Sequence, residues 1–498
     1  MKTLSSALAW WARMQGDVVA LNVAGEAVSY AELHAWSNRL AVRLVELGVA
    51  PGDRVAVCAA NSLAYCVLIM ATLRAGGILA PMNARFTRPE LSEIVEDVTP
   101  RLVFADDERR GLVEGLGPAL HMLSEVEGFR VGAAVSPAVE PDPAWPVVII
   151  ATSGSTARPK GVVFTNQSMI DYAAEFHLHE PTIGKGARVL AIAPLSTSAG
   201  FVQLVHYTTL GCTLYMEPAF EPQAGLELLV RGRINAFGGV PLLFERIAQQ
   251  PGFATADLSA LRLVTVGGAR VSRALLETWM AKGIVIRQIY GQTECGGNAT
   301  IMPAHLAAEA PEKCGWGGPF TTLVTVRPDG SRCDPGEPGE ILIRGPGRML
   351  GYWNNPEATA EAIRDGWLHT GDLGVLDEQG LLTFVDRMKD IIISGGLNIS
   401  AAEVERAVSE FPGVEEVVVI AAPDPKFAET PMAVLYASAA VDVPTLIAHC
   451  NGRLADYKVP RYVVVEPEPL PRLATGKLSK PAVRAKYKDQ IAGLARVR

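Results

Sequence analysis

The sequence predicts an α/β protein that ends in a smaller α+β unit. Three observations carry that prediction. Apolar, strand-like runs alternate with helical patterns through most of the 498 residues, the pattern of largely parallel sheets covered on both faces. After about residue 320 the texture changes to short runs joined by Pro-Asp-Gly, Pro-Gly and Gln-Gly turns, which reads as antiparallel pairing. Hydrophobic residues make up 49% and charged residues 20%, enough apolar surface to bury a core.

The elements follow in order. Residues 1–17 lack a long apolar core and a small-residue cleavage site, so they read as a short amphipathic helix rather than a signal peptide. Strands are expected at 54–59, 101–105, 147–152, 188–193, 213–216, 234–240 and 261–268, with helices such as 65–74 and 241–250 between them. The Pro-rich stretch 131–146 is a linker. Two uncharged stretches, 55–73 and 189–216, are long enough to be tested as membrane spans. The first is divided by Asn61-Ser62, a helix cap between a strand and a helix. The second is broken by Pro194, the polar run 196–198, Gly200 and Gly211. Both read as buried α/β units.

Beyond residue 386 a separate pattern appears: helix 401–411, strand 414–423, helix 443–454 and strand 461–467. This part carries 15 basic against 13 acidic residues, while the first 386 carry 30 against 40. A near-neutral unit on an acidic body predicts two domains meeting at 386–390. The net charge of −8 excludes bulk nucleic-acid binding, which needs a basic footprint. The seven cysteines (58, 66, 212, 295, 314, 333 and 450) are odd in number and contain no CxxC pair. That excludes a disulfide framework and a cysteine zinc site, and fits a reducing cytoplasm.

Five segments carry candidate chemistry. Thr152-Ser153-Gly154-Ser155-Thr156-Ala157-Arg158-Pro159-Lys160-Gly161 follows directly on a buried strand. Hydroxyls, a glycine and a terminal lysine at a strand end suit a polyphosphate. The P-loop spacing is absent, and an ordinary Ser/Thr/Gly loop has the same composition. Tyr290-Gly291-Gln292-Thr293-Glu294 offers an aromatic face, a close backbone approach, a hydroxyl and a metal-binding carboxylate. Asp372, in Trp367–Gly374, stands where a ribose could be held, or serves only as a turn residue. Asp386-Arg387-Met388-Lys389-Asp390 leads into Gly395-Gly396, and Arg387 is equally read as a surface ion pair. The fifth is Pro471–Lys477, whose lysine taken alone is a solvated charge.

In this order the five segments resemble the adenylate-forming superfamily of acyl- and aryl-CoA ligases, peptide-synthetase adenylation domains and beetle luciferases. The resemblance covers nearly the whole chain. Supporting stretches are Ala80–Phe86, Gly339–Gly345, Gly351-Tyr352-Trp353 and Val266-Gly267-Gly268-Ala269. It implies a large N-terminal domain, 1–386, made of two α/β sheet subdomains and a distorted β-barrel. A hinge at 387–390 and a small mobile α+β lid, 391–498, would follow. It implies an ATP-dependent acid–CoA ligase using Mg²⁺ and coenzyme A, in which a carboxylate attacks the α-phosphorus of ATP and a thiol then attacks the acyl-adenylate. Placement and charge neutralisation do most of that work.

By the same likeness, Thr152, Ser153, Gly154, Ser155, Thr156 and Lys160 hold the departing phosphates. Tyr290 stacks on adenine, with Gly267, Gly268 and Ala269 at its edge and Gly291 and Gln292 beside it. Thr293 meets the α-phosphate, Glu294 holds Mg²⁺, and Asp372 and Arg387 hold the ribose. Lys477 bridges the carboxylate and the α-phosphate, Lys389 is the hinge, and Gly395 and Gly396 line the pantetheine tunnel. The acyl pocket is expected from Thr197, Ser198, Phe201, Phe237, Gly239, Val240, Cys295 and Gly296, a set without buried charge that favours a hydrophobic acid.

The departures matter. Ala157 replaces the usual glycine of the phosphate loop. Ser196 and Thr197 stand where many CoA ligases carry an aromatic residue and a histidine. No aspartate at 196–198 is present to meet an amino acid's ammonium group. The alternative function is a stand-alone enzyme that loads a fatty or aryl acid onto a carrier-protein thiol; a non-catalytic nucleotide binder is set aside because it needs neither Glu294 nor Lys477. Small-molecule partners are expected, with no nucleic acid, no membrane segment, and a homodimer left open. His177 and His179 read as a surface pair, and the basic tail 477–498 as a solvated helix.

Overall fold

The computed structural model describes residues 2–152, 159–268, 271–473 and 476–498. Two compact units are present. One comprises 1–323, 342–369 and 380–382; the other comprises 324–341, 370–379 and 383–498.

The first unit holds two sheets. A seven-stranded sheet runs in the order Gly351–Tyr352, Lys160–Thr165, Pro146–Thr152, Ile78–Pro81, Arg54–Cys58, Leu102–Ala105, Leu120–Met122. Its five strands from Pro146–Thr152 onward are parallel, as the buried Val/Ile-rich runs predict. A nine-stranded sheet has a parallel centre made of Arg287–Tyr290, Leu263–Val266, Ala236–Gly239, Arg188–Ala191, Thr213–Met216 and Val19–Val23. Ligands of such sheets sit at the carboxyl ends of the strands. Here those ends are Gly239, Val266 and Tyr290, on three adjacent strands.

Both suspected membrane stretches resolve into α/β units. Ser62 caps the helix Leu63–Arg74, its Oγ accepting from the Tyr65 N–H at 3.1 Å. No helix among the described residues is long and apolar enough to cross a membrane. Asn61 clamps two strand ends. Its amide donates to the carbonyls of Ala193 and Glu217, both at 3.2 Å, and its oxygen accepts from the Leu195 N–H at 2.8 Å.

Helices Pro241–Ala248 and Arg273–Met280 bury their apolar faces against the larger sheet. The Phe244 ring lies 4.8 Å from Phe237 and 5.3 Å from Trp279. Trp279 is fully buried, and Phe253 stands 5.1 Å from it. Removing such an indole leaves a cavity that the neighbours cannot fill. Trp279→Ala should therefore cost about 3–5 kcal/mol of stability, read as a lowered denaturant midpoint with an unchanged slope.

The second unit holds the α+β pattern read beyond residue 386, together with 324–341, 370–379 and 383–386, which the sequence reading places in the first domain. Its sheet runs Leu397–Ser400, Ile391–Ser394, Ala428–Ala437, Val414–Asp424, with Tyr462–Glu466 parallel to Ala428–Ala437. Alternate side chains point to opposite faces. Val417, Val419 and Leu435 pack against helices Ala401–Ser409 and Val443–Asn451, while Val418, Met432 and Val434 meet helix Lys480–Tyr487. That last helix corrects the reading of a solvated tail. Val483 and Tyr487 are buried, and its Lys480, Arg484 and Lys486 all face carboxylates.

Candidate active site

In the first unit the nucleotide candidates gather at the ends of neighbouring strands. The pairing of Val266 with Gln288 sets Gly267-Gly268 beside Ile289-Tyr290. Gly291 is obligatory, because a Cβ there would lie 2.0 Å from the Gly297 carbonyl oxygen. Arg287 anchors the start of the same strand. Its guanidinium is buried against Glu180, Nη1 to Oε2 at 2.9 Å, and its Nε donates to the Met302 carbonyl at 2.6 Å. Tyr290 is buried at the other end of the strand.

Thr293 and Glu294 follow in the single turn Thr293–Cys295, both half-buried. The Glu294 carbonyl accepts from the Met349 N–H at 2.8 Å, and its Oε1 accepts from the Tyr352 hydroxyl at 2.9 Å. Cys295 is buried and engages the Gln292 backbone in both directions, at 3.2 Å from its N–H and 3.1 Å from its carbonyl. It is a cap for the turn, not a poised nucleophile.

Thr152 and Lys160 face each other across the antiparallel strands Pro146–Thr152 and Lys160–Thr165, with Thr152 Oγ1 donating to the Lys160 carbonyl at 3.1 Å. Lys160 Nζ lies 4.9 Å from the centre of the Tyr352 ring. Ser153, Gly154, Ser155, Thr156 and Ala269 lie outside the described residues.

The second unit brings together residues that are far apart in the chain. The Asp372 carboxylate is almost fully buried and pairs with Arg387, Oδ1 to Nε at 2.8 Å. Thr370, whose hydroxyl donates to the Ile341 carbonyl at 2.7 Å, leads into it. Asp386, next to Arg387, has a structural role. Its Oδ2 accepts from Ser400 Oγ and from the Ala402 N–H, both at 2.8 Å, and so holds the start of helix Ala401–Ser409.

Lys477 ends a loop closed by the Leu473 N–H on its own carbonyl at 2.7 Å. Its side chain is exposed, yet partial desolvation, and after it the Arg387 guanidinium, hold its ammonium below the ordinary lysine value of 10.5; the Asp372 carboxylate opposes them. Three of the predicted residues therefore sense one another's charge.

Lys389 lies exposed in the turn Met388–Asp390. Its neighbour Asp390 is buried and bonds Arg484 at 2.6 Å, with Lys480 at 4.0 Å. Lys480 in turn meets Glu405 at 3.0 Å. Gly395 and Gly396 are the two residues of the hairpin turn between Ile391–Ser394 and Leu397–Ser400. Both have positive φ, 57° and 81°, the mirror-image turn that matches strand twist and that glycine takes without strain.

The acyl-pocket candidates separate into two sets. Phe201 and Phe237 are fully packed in the core, and Cys295 and Gly296 are buried. Thr197, Ser198, Gly239 and Val240 stay partly open. Thr197, expected to line the pocket, serves as a helix cap. Its hydroxyl donates to the Pro194 carbonyl at 2.7 Å and caps helix Ser198–Thr209, accepting from the Gly200 N–H at 3.3 Å.

His177 Nδ1 bonds the Ile183 carbonyl at 2.8 Å, and no cluster of three metal-ligating side chains occurs among the described residues. A lone carboxylate still suits Mg²⁺, which is usually bound by one or two carboxylates together with substrate phosphates and water. Glu294 supplies such a hard oxygen ligand, with Oε1 fixed by Tyr352. It would hold the ion, which would neutralise phosphate charge.

Tyr290 closes a parallel strand, Glu294 stands in the turn that follows it, and Lys160 opens a strand of the other sheet. The chain belongs to the AMP-binding enzyme family, matching it over residues 8–353, with the family's C-terminal domain over 403–477. Among its relatives is a feruloyl-CoA synthase from an Amycolatopsis species, 37% identical over 96% of this chain and 97% of that protein. Another is the long-chain-fatty-acid–CoA ligase FadD13 of Mycobacterium tuberculosis, 34% identical over 93% and 94%. The o-succinylbenzoate CoA synthetase of Bacillus subtilis, solved with its acyl-adenylate, superposes with a TM-score of 0.89 at 28% identity, over 97% of this chain and 98% of that one. It has also been solved with ATP and magnesium ion.

Sequence reasoning assigns no role to Tyr352, Asp390 or Arg484. Tyr352 is visible there only as part of a Gly-Tyr-Trp segment. The pairing of Asp390 with Arg484 spans 94 residues and leaves no local signal.

Proposed function

We propose that the candidate residues named above serve ATP in an acid–CoA ligation. The chain is an ATP-dependent, AMP-forming acid–CoA ligase, and its relatives include aryl- and acyl-CoA synthetases. The observation that carries the residue assignment is the grouping of Lys477 with Arg387 and Asp372.

In the first half-reaction a carboxylate oxygen of the acid bonds to the α-phosphorus of ATP. The bond from that phosphorus to the bridging oxygen breaks, and pyrophosphate leaves. Lys160 and Thr152 attend the departing phosphates and Thr293 the α-phosphate. Asp372 and Arg387 hold the ribose, and Tyr290 with Gly267 and Gly268 the base. Lys477 brings its ammonium to the acid and the α-phosphate as charge builds between them. Glu294 would hold Mg²⁺, which would supply charge neutralisation at the phosphates.

In the second half-reaction the CoA sulfur bonds to the acyl carbon and AMP leaves. Lys477 must then withdraw, and we assign that movement to the torsions of Lys389, with residues 1–386 as the larger domain and 391–498 as the lid. Gly395-Gly396 lies on the path of the thiol in this reading.

The acid is hydrophobic. None of the candidate pocket residues is charged, and a buried ammonium or second carboxylate would need a partner there. A cytoplasmic site of action goes with this chemistry and with seven cysteines that form no disulfide. The test is a panel of acids incubated with ATP, Mg²⁺ and either CoA or a carrier protein, with adenylates and thioesters read separately by mass spectrometry. Aliphatic or aryl acids should give the CoA thioester. Turnover only with amino acids, or only with the carrier protein, would overturn the reading.

A further inference from the structure

We propose that Tyr352 is a positioning residue that holds the metal-binding carboxylate Glu294 and the phosphate-facing ammonium Lys160 apart and aimed. The proposal rests on the roles given above to Glu294 and Lys160.

Tyr352 sits on the two-residue strand Gly351–Tyr352, paired with Val163 and Val162 of the strand that begins at Lys160. Its segment is fixed from two sides. The Leu350 and Trp353 N–H groups donate to the Val163 and Gly161 carbonyls at 2.8 and 2.7 Å, and the Met349 N–H donates to the Glu294 carbonyl at 2.8 Å. The Tyr352 N–H itself donates to Thr359 Oγ1 at 2.9 Å. From this fixed base the side chain does two things. Its hydroxyl donates to Glu294 Oε1 at 2.9 Å, and its ring face carries the Lys160 ammonium at 4.9 Å.

No ion pair between Glu294 and Lys160 occurs among the described residues: the phenol hydroxyl engages the carboxylate and the ring face the ammonium. A hydrogen bond from the phenol fixes one of the carboxylate oxygens. The second oxygen then points in a set direction for the metal. A cation over an aromatic face is attracted by the ring quadrupole, which holds the Lys160 ammonium in place.

The test compares Tyr352→Phe, which loses only the hydroxyl, with Tyr352→Leu, which also loses the ring. Calorimetric affinity for α,β-methylene-ATP is measured with and without Mg²⁺, and affinity for AMP without metal serves as the check on folding. Outer-shell partners of metal ligands are typically worth about 10–100-fold in metal affinity. In Tyr352→Phe the tightening by Mg²⁺ should shrink about tenfold or more, with AMP affinity unchanged. Tyr352→Leu should in addition weaken metal-free binding of the triphosphate analogue. A Tyr352→Phe variant with reduced melting temperature and turnover but a wild-type response to Mg²⁺ would overturn the proposal. Glu294→Gln separates the two levels of the reading. If it too leaves the Mg²⁺ response intact, the metal assignment has failed. If it abolishes that response while Tyr352→Phe does not, only the role of Tyr352 has failed.

Discussion

Lys477→Ala should lose acyl-adenylate formation and keep its fold. The side chain is exposed and supports no core, while the loop is closed by backbone: the Leu473 N–H meets the residue-477 carbonyl, which alanine also has. What the substitution removes is a positive charge delivered to two anions that must approach each other. A preorganised donor of this kind is worth roughly 3 kcal/mol, about a hundredfold in rate. ATP–pyrophosphate exchange should fall by at least that factor, with circular dichroism and thermal midpoint near wild type; exchange close to normal would defeat the assignment. The same group sets a pH signature. Its ammonium is held below 10.5, first by desolvation and then by Arg387. Adenylation needs the protonated form, so the alkaline limb of the exchange rate should begin below the ordinary lysine range. In Lys477→Arg any remaining activity should lose that limb, because a guanidinium does not deprotonate.

Lys389→Pro should uncouple the two half-reactions. Proline fixes its own φ near −65° and pushes the residue before it out of the helical region. The turn Met388–Asp390 then keeps one arrangement and loses the freedom to adopt another. If a torsional swing at this point carries Lys477 away before the thiol enters, the first half-reaction survives and the second does not. Adenylate should accumulate at a near-normal rate, while thioester release falls by about a hundredfold, the scale on which misplacing a reacting group acts. The swing would move a body and not a loose strand. Asp390 is tied to Arg484 and Lys480 on the helix that follows Lys477, and Lys480 to Glu405 on Ala401–Ser409. Equal loss of both steps, measured by exchange and by single-turnover thioester formation, would count against the hinge.

The fold was legible because its determinants are local. The Val/Ile-rich runs at 147–152 and 261–268 announce buried parallel strands, and Ser62 announces a helix start; both appear where the pattern puts them. Part of the candidate site is local too. Tyr290 ends a strand, Lys160 begins one and Glu294 lies in the turn after Tyr290, where a short motif can be read. What stayed hidden depends on partners distant in the chain. Taken singly, Asp372 and Arg387 resemble a turn residue and a surface charge, and the tail resembles a solvated helix until its basic side chains meet Asp390, Glu405 and Glu466. Family resemblance alone makes Thr197 a pocket-lining residue. The folded chain uses its hydroxyl to start a helix.

The ion pair between Asp372 and Arg387 bears on how a nucleotide would enter under the proposed assignment. The guanidinium neutralises a carboxylate that is buried away from water. A sugar that engaged both would have to draw the guanidinium aside, so look-alikes that offer one hydroxyl would gain too little to do so. The pair would act as a threshold, admitting a guest able to replace both halves of the bond it breaks.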